Sequence, residues 1–202
     1  TAELTARRKQ YEYYRDLLLT FDEDVPKVRL DKVTTITRGV RVVKSQLTET
    51  GTYPVFQNSM TPLGYYEKSN FNKNTVFIIG AGAAGEIGYS KIDFWAADDC
   101  YCLTCSDRLQ SRFLYYAILC QKSYLLSRVR RASVPRLARS VIERVEIPVP
   151  PLKEQERIVS ILDRFDALCN DLTSGLPAEI EARQKQYEYY RDKLLSFKEV
   201  KA

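Results

Sequence analysis

A glycine-rich run is the first group of residues whose spacing could do chemistry. Gly80, Gly82 and Gly85 form a GxGxxG pattern directly after the strand-like residues 75–79. In dinucleotide-binding proteins the last glycine of this pattern opens a helix whose N-terminus holds the pyrophosphate. Another glycine and β-type residues follow here, so the sequence predicts no helix and disfavours a dinucleotide site. It favours a hairpin that another surface approaches closely, either a neighbouring strand or a DNA backbone.

A second group is the cysteine cluster Cys100, Cys102 and Cys105. Zinc usually takes four Cys or His ligands, and this chain has no histidine. The alternating sequence around the cluster favours thiols packed in a core strand, with a metal site as the weaker alternative. An odd total of five cysteines indicates reduced thiols. Without histidine there is no Ser-His or Cys-His pair, so we predict a binding protein with no catalytic residues, no metal site and no cofactor.

Positive charge is concentrated in the middle of the chain. Residues 22–150 carry 18 basic and 13 acidic side chains, and residues 108–142 carry eight basic side chains and no acidic one. A solvated face explains most charge runs, but the complete absence of acids favours a polyanion such as nucleic acid. Gln57 and Asn58, beside a predicted strand end, are weaker candidates for binding adenine. The residues predicted to contact DNA are Arg38, Arg41, Lys44, Gln57, Asn58, Gly82, Arg128, Arg130, Arg131, Arg136 and Arg139.

Patterning predicts the elements that must position these groups. Residues 28–92 contain short β-like runs separated by glycine, proline and asparagine, which indicates a compact sheet rich in turns. Residues 111–128 have the period of an amphipathic helix, and a shorter helix is expected over residues 134–142. The predicted fold class is α+β: a compact, β-rich mixed recognition domain flanked by long helices that form an antiparallel coiled-coil spacer.

The two ends of the chain contain nearly the same helix. Residues 3–21 and 179–197 match at 14 of 19 positions with a constant offset of 176. Solenoid repeats have periods of about 20–50 residues. We therefore interpret the chain as one period of a longer tandem protein, or as half of a symmetric one. The predicted regions are a helix over 1–21, a DNA-binding domain over 22–150 and a helical region over 151–202.

Two helices are expected in the last of these regions, at about 152–174 and 178–197. A glycine and a proline between them predict a tight turn, so the helices should run antiparallel. Their apolar stripe requires a partner, and a symmetric pairing of two chains would supply it. The residues predicted to form this spacer and homodimer contact are Ile158, Leu162, Phe165, Leu172, Tyr187 and Leu194. The sequence shows neither a signal peptide nor a membrane span, so we expect a cytoplasmic protein.

Several motifs occur in the order found in one known family. Residues 147–159 (IPVPPLKEQERIV) closely resemble the segment that begins the spacer helix in specificity subunits of type I restriction-modification systems. The motifs at residues 51–55, 64–66 and 94–98, together with the glycine hairpin, are similar to those of the target-recognition domain in these subunits. The resemblance covers essentially the whole chain. The chain departs from the family pattern in holding one recognition domain instead of two.

The resemblance implies a non-catalytic role in DNA recognition. Members of this family bind a bipartite site in double-stranded DNA and hold two methyltransferase subunits, and the assembly recruits a translocating restriction subunit. The expected partners are therefore duplex DNA, methyltransferase subunits, the restriction subunit through the complex and a second copy of the chain, with no membrane. The alternatives are a coiled-coil assembly adaptor whose basic head binds RNA or an acidic protein, and an enzyme that uses the glycine loop.

Overall fold

Short strands occupy the middle of the chain, and long helices occupy its two ends. The computed structural model describes residues 2–170 and 176–196. One compact unit contains Thr1–Leu17 and Ser160–Ala202, and a second contains Leu18–Val159. The combination of helices with mainly antiparallel strands confirms the predicted α+β class.

The elements are short in the middle unit and long at the ends. The helices are α1 (Ala2–Leu18), α2 (Leu30–Val33), α3 (Ser111–Cys120), α4 (Lys122–Ser127), α5 (Arg139–Glu143), α6 (Leu152–Asn170) and α7 (Leu176–Leu195). The strands are β1 (Lys27–Arg29), β2 (Thr34–Arg38), β3 (Tyr53–Phe56), β4 (Gly64–Tyr66), β5 (Thr75–Ile79), β6 (Ile87–Ser90), β7 (Trp95–Ala96), β8 (Cys100–Cys105) and β9 (Glu146–Pro148). One turn of 3-10 helix covers Lys44–Gln46.

A four-stranded antiparallel sheet forms the centre of the middle unit, in the order β2-β8-β5-β6. Strand β5 is buried on both faces because its sequence, TVFII, is almost entirely apolar. Phe77 of this strand belongs to a core cluster with Phe94, Cys100 and Cys102. The ring of Phe56, from a second sheet ordered β4-β3-β7, lies 4.8 Å from the ring of Phe77. Aromatic packing therefore joins the two sheets.

A two-stranded ribbon closes the middle unit where the chain enters and leaves it. Strand β1 pairs antiparallel with β9, and Lys27 lies opposite Pro148. The amide of Val149 also donates a hydrogen bond to the carbonyl oxygen of Pro26, at 3.2 Å. The two ends of the unit are therefore held side by side by backbone hydrogen bonds.

One fully buried glutamine fixes the start of helix α6 to the middle unit. The Gln155 side-chain oxygen accepts the backbone N–H of Gln110 at 2.8 Å. Its amide nitrogen donates to the carbonyl oxygens of Arg108 at 2.9 Å and Pro150 at 2.8 Å. A buried polar side chain is stable only where its hydrogen bonds are made, and here the amide oxygen and nitrogen are both used. Gln155 thus connects the start of α6 to residues 108–110 and to Pro150.

The helices at the chain ends carry the predicted apolar stripe. Ile158 and Leu162 are fully buried, and the ring of Phe165 stacks on Tyr14 of α1 with 5.7 Å between centroids. Tyr187 of α7 is exposed. Two other residues were predicted to form the spacer and homodimer contact. Leu172 and the side chain of Leu194 both lie outside the described part of the structure. Within the described ranges, every helix is too short or too polar to cross a bilayer.

Two helical predictions were wrong in detail. The helix expected over residues 111–128 is divided at Gln121, which separates α3 from α4. The helix expected over residues 134–142 is confined to α5, which begins at Arg139. Pro135 disfavours a helical conformation of the residue before it. Arg136 instead forms antiparallel bridges with Arg130 and Ala81, so this segment is extended.

Candidate nucleic-acid interface

The glycine-rich run is a hairpin loop, as predicted. It connects β5 to β6, and the amide of Gly85 donates to the carbonyl oxygen of Ile79 at 2.9 Å. Gly82 and Gly85 have φ angles of +83° and +91°, a conformation that side chains with a Cβ rarely adopt. Strand β6 follows at Ile87, with no helix between, so the loop lacks the helix N-terminus that a dinucleotide site requires.

The surface that approaches this loop belongs to the protein itself. The carbonyl oxygen of Asn58 accepts the amide of Ala83 at 2.8 Å. A Cβ atom built on Gly82 would lie 2.7 Å from that same carbonyl oxygen. The amide of Gly82 donates to the carbonyl oxygen of Pro135 at 3.1 Å. The sequence left open whether a neighbouring strand or a DNA backbone approaches the glycines. In the structure, neighbouring segments of the same chain do so.

A short hairpin of the basic run lies against the glycine loop. Arg130 and Arg136 exchange backbone hydrogen bonds of 2.8 and 3.1 Å. Arg136 also bridges to Ala81, and the amide of Leu137 donates to the carbonyl oxygen of Gly80 at 2.8 Å. The hairpin and the glycine loop therefore form one continuous backbone platform, with Asn58 on its other side. We call residues 58, 80–86 and 130–137 the glycine platform.

The glycine platform presents arginine side chains to solvent. Arg130, Arg131 and Arg136 are all exposed. Within the described part of the chain, no ion pair involves Arg130 or Arg131. Two cations without an ion-pair partner, carried on a hydrogen-bonded backbone, are suited to bind phosphate oxygens. Sequence analysis did not identify Pro135 as part of this site, although a proline inside a proposed helix was a signal against that helix.

A small cavity adjoins the glycine platform. Its volume is about 50 Å³, and Arg38 and Arg136 line it together with Asp98 and Asp99. Arg38 is fixed there, because its Nε atom donates to the carbonyl oxygen of Asp98 at 2.6 Å. The cavity therefore brings Arg38, from the end of β2, next to Arg136.

Other basic residues of the run have structural partners. The guanidinium of Arg112 lies 4.8 Å from the ring centres of Tyr89 and Tyr116, in cation–π contacts. Lys122 forms a 2.8 Å ion pair with Glu86, 36 residues earlier in the chain.

Arg139 and Arg128 also have partners, each within its own helical segment. The side chain of Arg139 pairs with Glu143 at 2.7 Å. The guanidinium of Arg128 lies 5.3 Å from the ring centre of Tyr124. The run therefore contains no acidic residue, but several of its basic side chains have a partner in the folded chain. These partners are acidic side chains or aromatic rings.

Arg41, Lys44 and Gln57 are the remaining residues predicted to contact DNA. Arg41 and Lys44 are exposed on either side of the buried Val42, and no hydrogen bond between described residues joins them to the glycine loop. The indole of Trp95 donates to the carbonyl oxygen of Val40 at 2.8 Å and holds this loop. The carbonyl oxygen of Gln57 accepts from the thiol of Cys100 at 3.2 Å. These positions stay predictions.

Cys100 and Cys102 are fully buried in the core, as the favoured alternative predicts, whereas Cys105 is only partly buried. Burial raises the pKa of Cys100 to about 12, with the nearby Asp99 charge adding to the effect. Burial also raises the pKa of Cys102, and it raises that of Cys105 to about 11. A thiol must lose its proton to act as a nucleophile, so these shifts oppose that role. Among the described residues, no three Cys, Asp or Glu side chains form a group that could hold a metal ion.

Comparison with known proteins agrees with this geometry. The family model for the type I restriction modification DNA specificity domain matches residues 22–182. A protein of Mycoplasma pneumoniae named as a type I specificity subunit is 32% identical over 210 residues, covering 96% of this chain and 87% of that protein. The specificity subunit of the Escherichia coli type I restriction enzyme EcoR124I/EcoR124II is 33% identical over 223 residues, which cover 98% of this chain and 55% of that subunit.

A solved structure shows the same fold. The crystal structure of a type I restriction-modification S subunit from M. genitalium superposes with a TM-score of 0.70 at 24% identity, covering 90% of this chain and 49% of that one. This chain thus spans about half the length of the E. coli and M. genitalium subunits. The match of the family model across most of the sequence places the chain in the family of type I restriction modification DNA specificity domains.

Proposed function

We propose that this chain recognises a short sequence in double-stranded DNA as the specificity subunit of a type I restriction-modification enzyme. It would act in the cytoplasm and leave catalysis to other subunits. The observation that carries the proposal is the glycine platform, where Asn58 and two unpaired arginines surround one rigid backbone surface. Membership of the specificity-domain family supports the same role.

The glycine platform can supply both kinds of contact that DNA recognition needs. Arg130, Arg131 and Arg136 suit phosphate oxygens or the acceptor edge of guanine. The backbone of Asn58 is fixed by Ala83, while its side chain is exposed and can form the two hydrogen bonds that adenine accepts and donates in the major groove. Phosphate contacts would set the position of the protein, and these side chains would select the base.

The helices suit assembly with other protein subunits. We propose that two copies of the chain pair through the face of α6 that contains Leu162 and Phe165, so that the partner replaces the intrachain contact of Phe165 with Tyr14. We also propose that the helices bind methyltransferase subunits. The restriction subunit would join through that complex. A two-fold axis would present two identical recognition units to DNA in opposite orientations. The preferred DNA should therefore be an inverted repeat with an unrecognised gap.

Selection from a random pool of DNA duplexes tests this proposal directly. We expect the selected sequences to be two identical half-sites in inverted orientation, separated by a gap of constant length. An equal-length RNA duplex and an acidic protein are the competitors that separate this function from a basic assembly adaptor. Preferential binding to either competitor, or selection of one undivided asymmetric site, would contradict the proposal.

A seven-residue insertion after Leu168 should change the gap and leave the half-sites unchanged. Seven residues keep the apolar stripe in phase and lengthen a helix by about 10 Å. That length corresponds to roughly three base pairs at about 3.4 Å each. The same selection from random duplexes measures the result. A gap that does not respond to the insertion would show that the helices do not set the spacing.

Replacing Gly82 by alanine should weaken DNA binding by displacing Asn58. The new Cβ would be 2.7 Å from the Asn58 carbonyl oxygen, and its positive φ would add strain of about 1–2 kcal/mol. Gly85→Ala is the matched control, because it shares the positive φ but its nearest neighbour is the flexible end of Leu126, at 3.0 Å. Both variants should lose stability in thermal unfolding, with the larger loss for Gly82→Ala because its Cβ also meets backbone. Only Gly82→Ala should lose affinity, by about tenfold. Equal affinities of the two variants would contradict this role of Asn58.

A further inference from the structure

Helices α1 and α7 are two copies of one sequence in different surroundings. Tyr11, Tyr14 and Arg15 of α1 correspond to residues 187, 190 and 191 of α7 through the offset of 176. Tyr11 is 8% exposed, whereas Tyr187 is 67% exposed. The side chain of Arg15 is 13% exposed, whereas that of its counterpart is 48% exposed. The same residues are therefore covered in α1 and uncovered in α7.

The uncovered copy already has the side-chain arrangement of the covered one. Neighbouring rings 13 and 14 meet edge to face at 5.5 Å and 72°, and rings 189 and 190 meet at 5.3 Å and 74°. The arginine that follows forms a 2.7 Å ion pair with the next aspartate in both helices. Helix α7 therefore presents an aromatic face with the same local geometry, and binding would require little reordering of its side chains.

The structure also shows which surface accepts this aromatic face. The ring of Tyr14 stacks on Phe165 of α6 at 5.7 Å, with an angle of 21° between the ring planes. Leu162, one helical turn earlier, is fully buried. A surface that accepts this sequence in α1 is chemically able to accept the same sequence in α7.

We propose that α7 of one chain docks on the Phe165 face of α6 in a second copy and replaces the α1 helix of that copy. The exchange is reciprocal, so each chain gives its α7 and receives that of its partner, as a two-fold axis requires. In a single chain α1 occupies the same face and competes with the incoming helix. This proposal rests on the proposed homodimer and identifies the surface that forms it.

Cysteine cross-linking distinguishes docking within a chain from docking between chains. Tyr14→Cys with Phe165→Cys in one chain calibrates a short bismaleimide, because those rings are in contact. Chains carrying only Tyr190→Cys are then mixed with differently tagged chains carrying only Phe165→Cys. We expect a covalent species of twice the 23.4 kDa chain mass from the mixture. Each single variant alone, and the unmodified chain, controls for reaction at the native cysteines.

Several outcomes would overturn the exchange. A dimer by light scattering without the mixed cross-link would refute the exchange and leave the proposed homodimer and DNA recognition intact. In the Tyr190→Cys, Phe165→Cys double variant, a cross-linked product with the mass of one chain would show that α7 binds α6 of its own chain. A monomer at micromolar concentration would refute both the exchange and the homodimer. Binding of that monomer to a DNA duplex with a single half-site would then test the proposed DNA recognition by itself.

The repeat supplies a matched pair of substitutions for a second test. Tyr187→Asp should weaken the dimer at least tenfold by sedimentation equilibrium, because it places a charge on the docking face. Tyr11→Asp should strengthen the dimer, because it weakens the helix that competes for the same face. Equal effects of the two substitutions, or an unchanged dissociation constant for Tyr187→Asp, would overturn the proposal.

Discussion

Replacing Arg130, Arg131 and Arg136 together by alanine is expected to lower the affinity for duplex DNA by about 100-fold. An arginine that contacts a base contributes about 1–3 kcal/mol, and each lost phosphate contact reduces the slope of log affinity against log salt by about 0.9. Arg130 and Arg131 are exposed without an ion pair among the described residues, and the backbone of Arg136 is bonded to the same platform. Fluorescence anisotropy over a series of salt concentrations measures both quantities.

A triple variant on the helices controls for net charge. Arg157, Arg164 and Arg183 lie on α6 and α7, and their replacement by alanine removes the same three positive charges. If the platform arginines contact DNA, this control should lose much less affinity and keep its salt dependence. Equal losses in the two triple variants would show that long-range charge, and not the platform, is responsible.

Gln155→Leu should have the largest effect on stability, a loss of about 3–4 kcal/mol. The substitution keeps the approximate size but leaves the N–H of Gln110 and the carbonyl oxygens of Arg108 and Pro150 without their partner. Each buried polar group left without a hydrogen bond costs about 1–3 kcal/mol. A chain of this size should then unfold at a temperature about 10 °C lower. Calorimetry measures this change.

The same substitution at an exposed glutamine controls for helix composition. Gln10 lies on α1, is exposed and makes a 3.1 Å hydrogen bond with Arg7. Gln10→Leu should change the stability by less than about 0.5 kcal/mol, as exposed substitutions usually do. A similar unfolding temperature for the Gln10 and Gln155 variants would refute the role of Gln155 in fixing the start of α6.

Local patterns predicted the parts of the structure that local forces determine. The glycine hairpin was predictable because the residues after Gly85 have β character, and the structure places strand β6 there. The burial of Cys100 and Cys102 followed from their alternation in a strand-like sequence. In both places the neighbouring residues in sequence are also the decisive neighbours in space.

Contacts between distant segments were not predictable in this way. The run from 108 to 142 contains no acid, yet Lys122 pairs with Glu86 from the loop between β5 and β6. A sequence window cannot show this partner because the fold, and not the spacing, brings it near. The three hydrogen bonds of Gln155 were missed for the same reason, since two of them join it to residues 45 and 47 positions away.

The extended conformation around Pro135 was indicated by the proline itself. The helical periodicity of residues 134–142 nevertheless led to the prediction of a helix. Val134 precedes the proline, and a residue in that position avoids helical angles. The bridges from Arg136 to Arg130 and Ala81 then bring the arginines to the glycine loop. A helix over residues 134–142 would not allow this arrangement, because helical residues cannot form the extended bridges that Arg136 makes with Arg130 and Ala81.

The ribbon formed by β1 and β9 has a consequence for how new specificities could arise. Because Lys27 lies opposite Pro148, the chain enters and leaves the middle unit at adjacent positions. A domain with adjacent ends can be inserted or exchanged with little disturbance to its host. Genetic recombination that replaced residues 28–147 by a different segment with the same paired ends would give the host helices a new DNA target. Evolution could thus change the recognised site while the proposed subunit contacts on the helices were inherited unchanged.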